Sequence, residues 1–396
     1  MQDGRRQFRI AVLAFALYLG TLAGGTLLLA QTLGAVGGGQ GFSVPRYEVD
    51  HLLGHGLYQL RVAFGLENRS DGEERELILE FLALTAEARD LAEADATDPR
   101  IDAVLARRDQ IENDVEAVLA GYVADAIRSA GLTTELPLFS SAEPVWPPVA
   151  LEFERPPRIL AVSPRDRIEL VSSDLLDPDL ESAEAIEIEQ RSEDDGFSAL
   201  VEDIGGLGSY PSNVRPGLYY ERLLTLIAHE WMHHYLSFYP LGLTYFDNAE
   251  SRILNETVAT LVGNELGDEA VRLHPIEGAP APPAPTTTID FRGTMRSLRL
   301  EVDDLLAQGD IAQAEARMEE VRQQLADEDI FIRRINQAYF AFHGSYGDAP
   351  QSSSPIGPLI NELREASASL ARFVVLVREI TTERELARAA DAVQPD

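Results

Sequence analysis

Three residues near the middle of the chain, His229, Glu230 and His233, have the types and spacing of a metal-dependent catalytic site. Residues four apart on a helix lie on one face, so both imidazoles can bind the same metal ion. Zinc accepts histidine nitrogens at about 2.0–2.1 Å and lowers the pKa of a bound water toward about 7. Glu230 follows about 100° round the helix and can take the proton from that water. The pattern therefore predicts hydrolysis that depends on Zn²⁺.

The sequence around this motif predicts a buried helix. In residues 223–239 the ionisable groups, tyrosines aside, are the three residues above and His234, and most other side chains are large and apolar. A buried charge is costly unless it is paired, and a metal ion would supply the partner. The alternative is a core helix whose histidines are satisfied by ordinary hydrogen bonds.

The other histidines near such spacings are interpreted as structural. His51 and His55 are also four apart, but no acid lies between them, and Gly54 and Gly56 disfavour a helix there. His234 faces away from the two motif histidines, so we expect it to support the site from outside the ligand set or to pack in the core.

Three acids downstream of the motif, Asp247, Glu250 and Glu256, are candidates for a third ligand. Glu256 is the one charged residue in 253–264, so its helix is predicted to be buried, and a lone buried carboxylate needs a cation. Its neighbours on the helical wheel are small, which lets a second helix approach: Ala259, Thr260 and Gly263.

Asp247 and Glu250 fit other roles better. Glu250 stands beside Ser251 at the predicted start of the helix, where the helix dipole favours negative charge. Asp247 with Asn248 is typical of a helix cap.

The segment Asn255-Glu256-Thr257-Val258-Ala259 resembles the Asn-Glu-x-x-Ala element of gluzincins, the thermolysin and aminopeptidase group of zinc peptidases. The resemblance implies a zinc site with His229, His233 and Glu256 as ligands and Glu230 as general base. It covers about residues 218–266. One departure is Thr260, at a position where many gluzincins place an acid that orients a ligand histidine.

A thinner likeness covers residues 331–363. The segments 335–339 and 344–346 look like the C-terminal signature of bacterial putative aminopeptidases that share both zinc motifs. A polar cluster ends an apolar helix here, which predicts that Tyr346, or as an alternative His343, holds the oxyanion. A plain helix C-cap with glycine is the competing interpretation.

The elements that must position these residues predict an α+β, mostly helical fold. We expect a helical hairpin in 49–143 and a zincin-like catalytic core with a small β-sheet in 144–274. A proline-rich loop in 275–290 then leads to a C-terminal helical region, 291–396, that completes the cleft. The finer expectations are strands at 150–153, 159–162 and 168–171, an edge strand for an extended peptide at 207–214, and a long last helix at 358–384.

The N-terminus predicts a membrane anchor. Arg5, Arg6 and Arg9 precede a run without charge up to Arg46, long enough for the roughly 20 apolar residues of a spanning helix. The basic flank places the N-terminus inside and the bulk of the chain outside the cytoplasm. We therefore predict an anchor in 1–36 and a flexible tether in 37–48, with a cleaved signal peptide and secretion as the alternative.

Composition excludes several classes of function. The 396 residues include 66 acids against 33 basic residues, a net charge of −33, which argues against nucleic acid as a partner. Cysteine is absent, so disulfides, thiolate ligands and cysteine nucleophiles are excluded. A peptide or protein substrate is the leading expectation. The alternatives are a non-catalytic exported binding domain that contains a metal and a zinc hydrolase of a non-peptide substrate.

Overall fold

The computed structural model describes residues 41–48, 50–51, 69–133, 145–282 and 289–392. The helices are α1 (Asp71–Ala94), α2 (Arg100–Ser129), α3 (Ser182–Asp194), α4 (Tyr220–Leu236), α5 (Pro240–Leu243), α6 (Ala249–Leu273), α7 (Phe291–Ala307), α8 (Ile311–Asp327), α9 (Gln337–His343), α10 (Ile356–Ala366), α11 (Leu370–Val377) and α12 (Glu383–Ala392). The strands are β1 (Leu151–Phe153), β2 (Arg158–Pro164), β3 (Ser172–Leu176), β4 (Phe197–Asp203), β5 (Gly206–Leu207) and β6 (Ser212–Val214). The fold is α+β and mostly helical, which confirms the predicted class.

The helical hairpin is formed by α1 and α2. Ser70 caps α1 in a reciprocal capping box with Glu73, which satisfies backbone N–H groups that the first turn leaves free. The two helices run antiparallel, because Tyr122 donates to Glu74 near one end and Arg107 donates to Glu80 further along. The hairpin packs on α6 and shares its core, so it is part of the body that holds the site.

The strands form two three-stranded sheets, where the sequence predicted a single small one. The first sheet is antiparallel in the order β3-β2-β4, and the second has the order β1-β6-β5 with β1 parallel to β6. The third predicted strand, 168–171, was wrong, because the chain pairs with β2 only from Ser172 onward. Ile168 and Leu170 instead pack against α7–α9, so their alternation reflects burial without strand pairing.

The main hydrophobic core surrounds α4 and α6, which are also the helices that carry the predicted metal ligands. These helices cross at two glycines of α6. A Cβ atom at Gly263 would lie 2.9 Å from the Cα of His229, and one at Gly267 would lie 2.7 Å from the Cα of Thr225. Such distances are below van der Waals contact, so the missing side chains are what allow the close approach.

A second core lies between α7, α8, α9 and the β2–β4 side of the first sheet. This core positions the end of α9 and the loop after it, which form the far wall of the cleft that contains the predicted ligands. Asn336 caps α9 by accepting from the Tyr339 N–H and ties it to β4 by donating to the carbonyl of Ala199.

Three further expectations were wrong in detail. The predicted last helix is broken into α10, α11 and α12, because the Ser367 hydroxyl bonds to Leu363 at one helix end and Ser369 caps the next. Helix α3 was not predicted, since its buried face includes the charged Glu189. Within the predicted tether, residues 44–48 are helical and Val44 is buried.

The predicted membrane anchor in residues 1–36 lies outside the described residues. None of the helices in the described ranges has both the length and the apolar composition that crossing a membrane requires.

Substituting alanine for two helical glycines should change stability in opposite directions. Gly267→Ala should lower the free energy of unfolding by about 1–3 kcal/mol, because the methyl group overlaps the backbone of Thr225. Gly121→Ala, at an exposed position of α2 with nothing within 4 Å, should raise it by about 0.5–1 kcal/mol. Urea denaturation measures both, and equal midpoints for the two variants would contradict the close crossing of α4 and α6.

Candidate metal centre

His229, His233 and Glu256 converge to form a group that could hold a metal ion. The two Nε2 atoms lie 3.1 Å apart, and Glu256 Oε2 lies 3.7 Å from His229 Nε2 and 3.6 Å from His233 Nε2. A tetrahedral zinc ion with ligand atoms at about 2.0–2.1 Å places those atoms about 3.3–3.4 Å apart. The observed triangle brackets that spacing.

The convergence follows from the packing of the two helices. His229 and His233 lie one turn apart on α4 and present their rings to the same side, with ring centroids 4.7 Å apart. Helix α6 runs antiparallel to α4, since Gly267 faces Thr225, Gly263 faces His229 and Asn255 reaches His233. This direction carries Glu256 to the two imidazoles.

Asn255 orients the second histidine. Its Oδ1 accepts a hydrogen bond of 2.7 Å from Nδ1 of His233, and its Nδ2 donates to the carbonyl of Leu241. With Nδ1 as the donor, a neutral His233 has the lone pair of Nε2 directed at the group. Many gluzincins orient a ligand histidine with an acid at the position of Thr260. In this chain Asn255 holds His233 by a hydrogen bond instead.

One oxygen of Glu256 is held and the other is not. The hydroxyl of Tyr245 donates to Oε1 at 2.6 Å, while Oε2 is buried without a hydrogen-bond partner. A buried carboxylate oxygen without a partner is costly, and coordination of a cation removes that cost. The donor set of two nitrogens and one oxygen, with that oxygen 3.6–3.7 Å from the nitrogens, fits a metal ion.

Burial and mutual charge interactions shift the pKa values of all three side chains. Burial, and after it repulsion from His233, lower the pKa of His229 to about 3, so this imidazole is neutral at pH 7. Burial alone would raise the pKa of Glu256, but attraction to His233 and His229 and the bond from Tyr245 outweigh it and hold the pKa at about 2. The negative Glu256 in turn outweighs burial at His233 and raises that pKa to about 9. An incoming cation therefore displaces a proton from His233.

No family model, curated protein or solved structure matches this chain. The likeness to gluzincins therefore stands on the motif residues alone.

The two rival acids lie outside the metal group. Asp247 is exposed on the rim of the cleft, and Asn248 is the residue that caps α6 by accepting from Ser251. Glu250 accepts a hydrogen bond from the backbone of Glu383 at the start of α12. Glu250 thus links two helices and is directed away from the site.

The metal group lies in a cleft of about 1190 Å³. Glu230 also lines the cleft, is 4 % exposed, and has its carboxylate beside the backbone of 206–208. A Cβ at Gly206 would lie 2.4 Å from Glu230 Oε1, and one at Gly208 would lie 3.5 Å from Oε2. Gly206 therefore leaves the space that the carboxylate occupies.

The predicted edge strand needs a correction. In residues 207–214, strand β6 pairs on both sides, with β1 and with β5, so it is the central strand of its sheet. The edge toward the cleft is β5 with Gly208.

Tyr346 and His343 occupy different positions at the far wall. Tyr346 lines the cleft, and the negative charge of Glu256, then burial, then the charge of Glu230 raise the pKa of its phenol well above the usual value. His343 packs on Tyr339 with ring centroids 4.4 Å apart, and its Nε2 is buried without a partner. Burial lowers the pKa of His343 to about 4, so it is neutral. The phenol of Tyr346 is therefore the better placed of the two for the metal group.

The remaining histidines behave as structural residues. His234 is buried, and its Nε2 bonds to the carbonyl of Ser209 at 2.7 Å, which ties α4 to the loop after β5. His51 bonds to the carbonyl of Tyr47 and lies 3.3 Å from Glu154, and it is not part of the metal group. His55 lies outside the described residues.

Sequence reasoning missed two residues of this site. Asn255 was visible as part of the Asn-Glu pair, but its role depends on α6 running antiparallel to α4. Tyr245 is an isolated tyrosine ten residues before Asn255, in a loop without a recognisable pattern, so no sequence signal could have placed it beside Glu256.

The third ligand can be tested by paired substitutions on one helix. Glu256→Ala should reduce bound metal strongly, because it removes a ligand and leaves two imidazoles with no counter-charge. Glu250→Ala should keep the metal, because Glu250 bonds only to the start of α12. Elemental analysis after equilibrium dialysis against buffered zinc measures both. Full metal content in Glu256→Ala would contradict the assignment.

Proposed function

We propose that this protein is a zinc-dependent hydrolase of peptide bonds, with His229, His233 and Glu256 as ligands and Glu230 as general base. The observation that carries the proposal is the unpartnered Oε2 of Glu256, aimed at two histidine nitrogens in a cleft that also contains a buried acid. When bound, zinc polarises water and the substrate carbonyl at neutral pH. A purely structural metal site has no use for Glu230.

Glu230 has the environment of a general base that works near neutral pH. Burial raises its pKa to about 7, with repulsion from Glu256 adding to the effect and attraction to His233 opposing it. A base is most effective when its pKa is near the working pH. In the proposed reaction, Glu230 accepts a proton from the attacking water and then delivers it to the leaving amine.

The oxyanion that forms at the scissile carbonyl needs a donor besides the metal, and Tyr346 is the group we assign to this role. Its phenol is close enough to Glu230 and Glu256 to feel both charges. The raised pKa keeps the phenol protonated, which is the state that donates a hydrogen bond.

Residues 206–208 support a peptide as the substrate class. An extended chain can pair with the outer edge of β5, and that edge passes directly beside Glu230. The peptide would then cross the metal group with a carbonyl near the base.

We also propose that residues 1–36 anchor the protein in a membrane and that the catalytic part faces away from the cytoplasm. Retention in the membrane pellet after alkaline extraction would support the anchor. A soluble mature chain that lacks these residues would contradict it.

The catalytic role of Glu230 is tested by Glu230→Gln. Glutamine keeps nearly the same shape but accepts no proton, so the zinc content and melting temperature should stay while hydrolysis falls about 10²–10⁴-fold. A mixed peptide library read by mass spectrometry measures turnover, and a chelator should abolish it in the wild type. Full turnover by Glu230→Gln would contradict the mechanism. A zinc-loaded wild-type protein that cleaves no peptide would contradict the substrate class.

The position of the Glu230 carboxylate is tested by a substitution at Gly206, in strand β5 beside it. Gly206→Ala places a methyl group where Oε1 lies, so Glu230 must move, and we expect at least a tenfold loss of turnover with normal zinc content. Gly217→Ala is the matched control, because Gly217 is exposed and has nothing within 4 Å. Equal turnover by the two variants would show that Gly206 does not set the position of the base.

A further inference from the structure

One arginine in the cleft is unusual for this acidic protein. Arg252 lines the cleft, is only half-buried, and has neither a side-chain hydrogen bond nor an ion pair. In the part of the chain that the structure describes, the other arginines without such a partner are exposed: Arg191, Arg222, Arg372, Arg384 and Arg388. A partly desolvated guanidinium without a partner gives up hydration and gains nothing in the protein alone, so it is available to a ligand.

The position of Arg252 relative to the metal group follows from the helices. It lies one turn before Glu256 on α6, and α6 is antiparallel to α4, so it lies toward the C-terminal end of α4. Its charge reaches the Tyr245 hydroxyl, which bonds to Glu256. Arg252 therefore flanks the metal group on one side, within the reach of a substrate bound across it.

Large apolar side chains are exposed at the same end of the cleft. Phe238, Leu243 and Phe246 line it, with 47 %, 55 % and 47 % of their surfaces exposed. Phe246 packs edge-on against Tyr245, with ring centroids 4.7 Å apart. An exposed apolar surface beside a metal group is typical of a binding site for an apolar part of a ligand. We call Arg252 with these three residues the Arg252 end of the cleft.

We propose that the Arg252 end of the cleft binds a carboxylate of the substrate next to an apolar side chain. This inference rests on the proposed function and names the class of peptide that the same site takes. Guanidinium binds carboxylate through two parallel hydrogen bonds, the geometry that makes arginine selective for this group. The carboxylate belongs to an aspartate or glutamate side chain or to the free C-terminus of the peptide.

The neighbouring charges leave this role open to a ligand. Asp247 also lines this end of the cleft, but it is exposed and no ion pair joins it to Arg252. Glu256 is held by Tyr245 and directed at the metal group. Arg222 also lines the cleft, two turns before His229 on α4 and so at the opposite end, where its charge acts on His229 and Tyr346.

The test compares matched peptides on the full-length, zinc-loaded protein. A peptide cleaved by the wild type is made with aspartate, asparagine or lysine at each position in turn, and each version is made with a free or an amidated C-terminus. The preference for the acidic over the neutral version, as a ratio of kcat/KM, should be about tenfold in the wild type and should disappear in Arg252→Gln.

Arg252→Glu should reverse the preference toward lysine, a gain that misfolding cannot produce. Arg372→Gln removes an exposed, unpaired arginine outside the cleft and should keep the wild-type preference. Zinc content and melting temperature are measured for every variant. If Arg252→Gln keeps the wild-type ratio, the subsite is overturned.

The two sources of the carboxylate separate within the same series. If amidation removes the preference, the carboxylate is the C-terminus, and if aspartate-to-asparagine exchange removes it, the carboxylate is a side chain. Either result supports the subsite. If neither change matters in the wild type, the subsite is overturned.

A binding measurement separates this inference from the proposed function. Fluorescence anisotropy with zinc-loaded Glu230→Gln reports peptide binding without turnover. Weaker binding of acidic peptides by Glu230→Gln/Arg252→Gln supports the subsite even if the wild type cleaves no peptide. Equal binding by the two proteins overturns the subsite while peptide cleavage by the wild type still supports the peptidase.

Discussion

Helices α4 and α6 approach so closely at Gly263 and Gly267 that a methyl group at either position would overlap the facing backbone. That crossing sets where Asn255 and Glu256 meet His233, since the two helices are antiparallel and both are rigid. It also explains why small residues are necessary on α6 in a core otherwise filled mostly by large apolar side chains. The packing of α4 against α6 therefore also determines the geometry of the metal group.

The crossing brings four ionisable groups into a buried volume. Burying their charges costs free energy unless a partner compensates for the lost hydration. Glu230, Glu256, His229 and His233 each have a pKa displaced chiefly by burial or by one another. A metal ion between the imidazoles and Glu256 would give the negative carboxylate a partner and would accept the lone pairs of both rings. Glu230 is not part of that group and its pKa is near neutrality, so the environments of the two carboxylates fit the different roles proposed for them.

Much of the centre was predictable because it is local or depends on one helix. The four-residue spacing of His229 and His233 places both on one face of α4, and the lone charge of Glu256 in an apolar helix pointed to a cation. The roles of Tyr245 and Asn255 were not predictable, because they arise from how a loop and a second helix pack. The correction at β5 and β6 has a similar cause, since the pairing order of a sheet is not written in the alternation of a single strand. The helix predicted for residues 358–384 is interrupted at Ser367, which shows that side-chain hydroxyls can stop a helix within an otherwise continuous apolar pattern.

The central claim is that one metal ion binds at the crossing of α4 and α6, and anomalous X-ray scattering from crystals of the zinc-loaded protein tests it most directly. Data collected on both sides of the zinc absorption edge locate the ion independently of any activity. We expect a single strong peak at about 2.0–2.2 Å from Nε2 of His229, Nε2 of His233 and Oε2 of Glu256. A peak elsewhere on the chain, or zinc-loaded crystals with none between these three atoms, would contradict it.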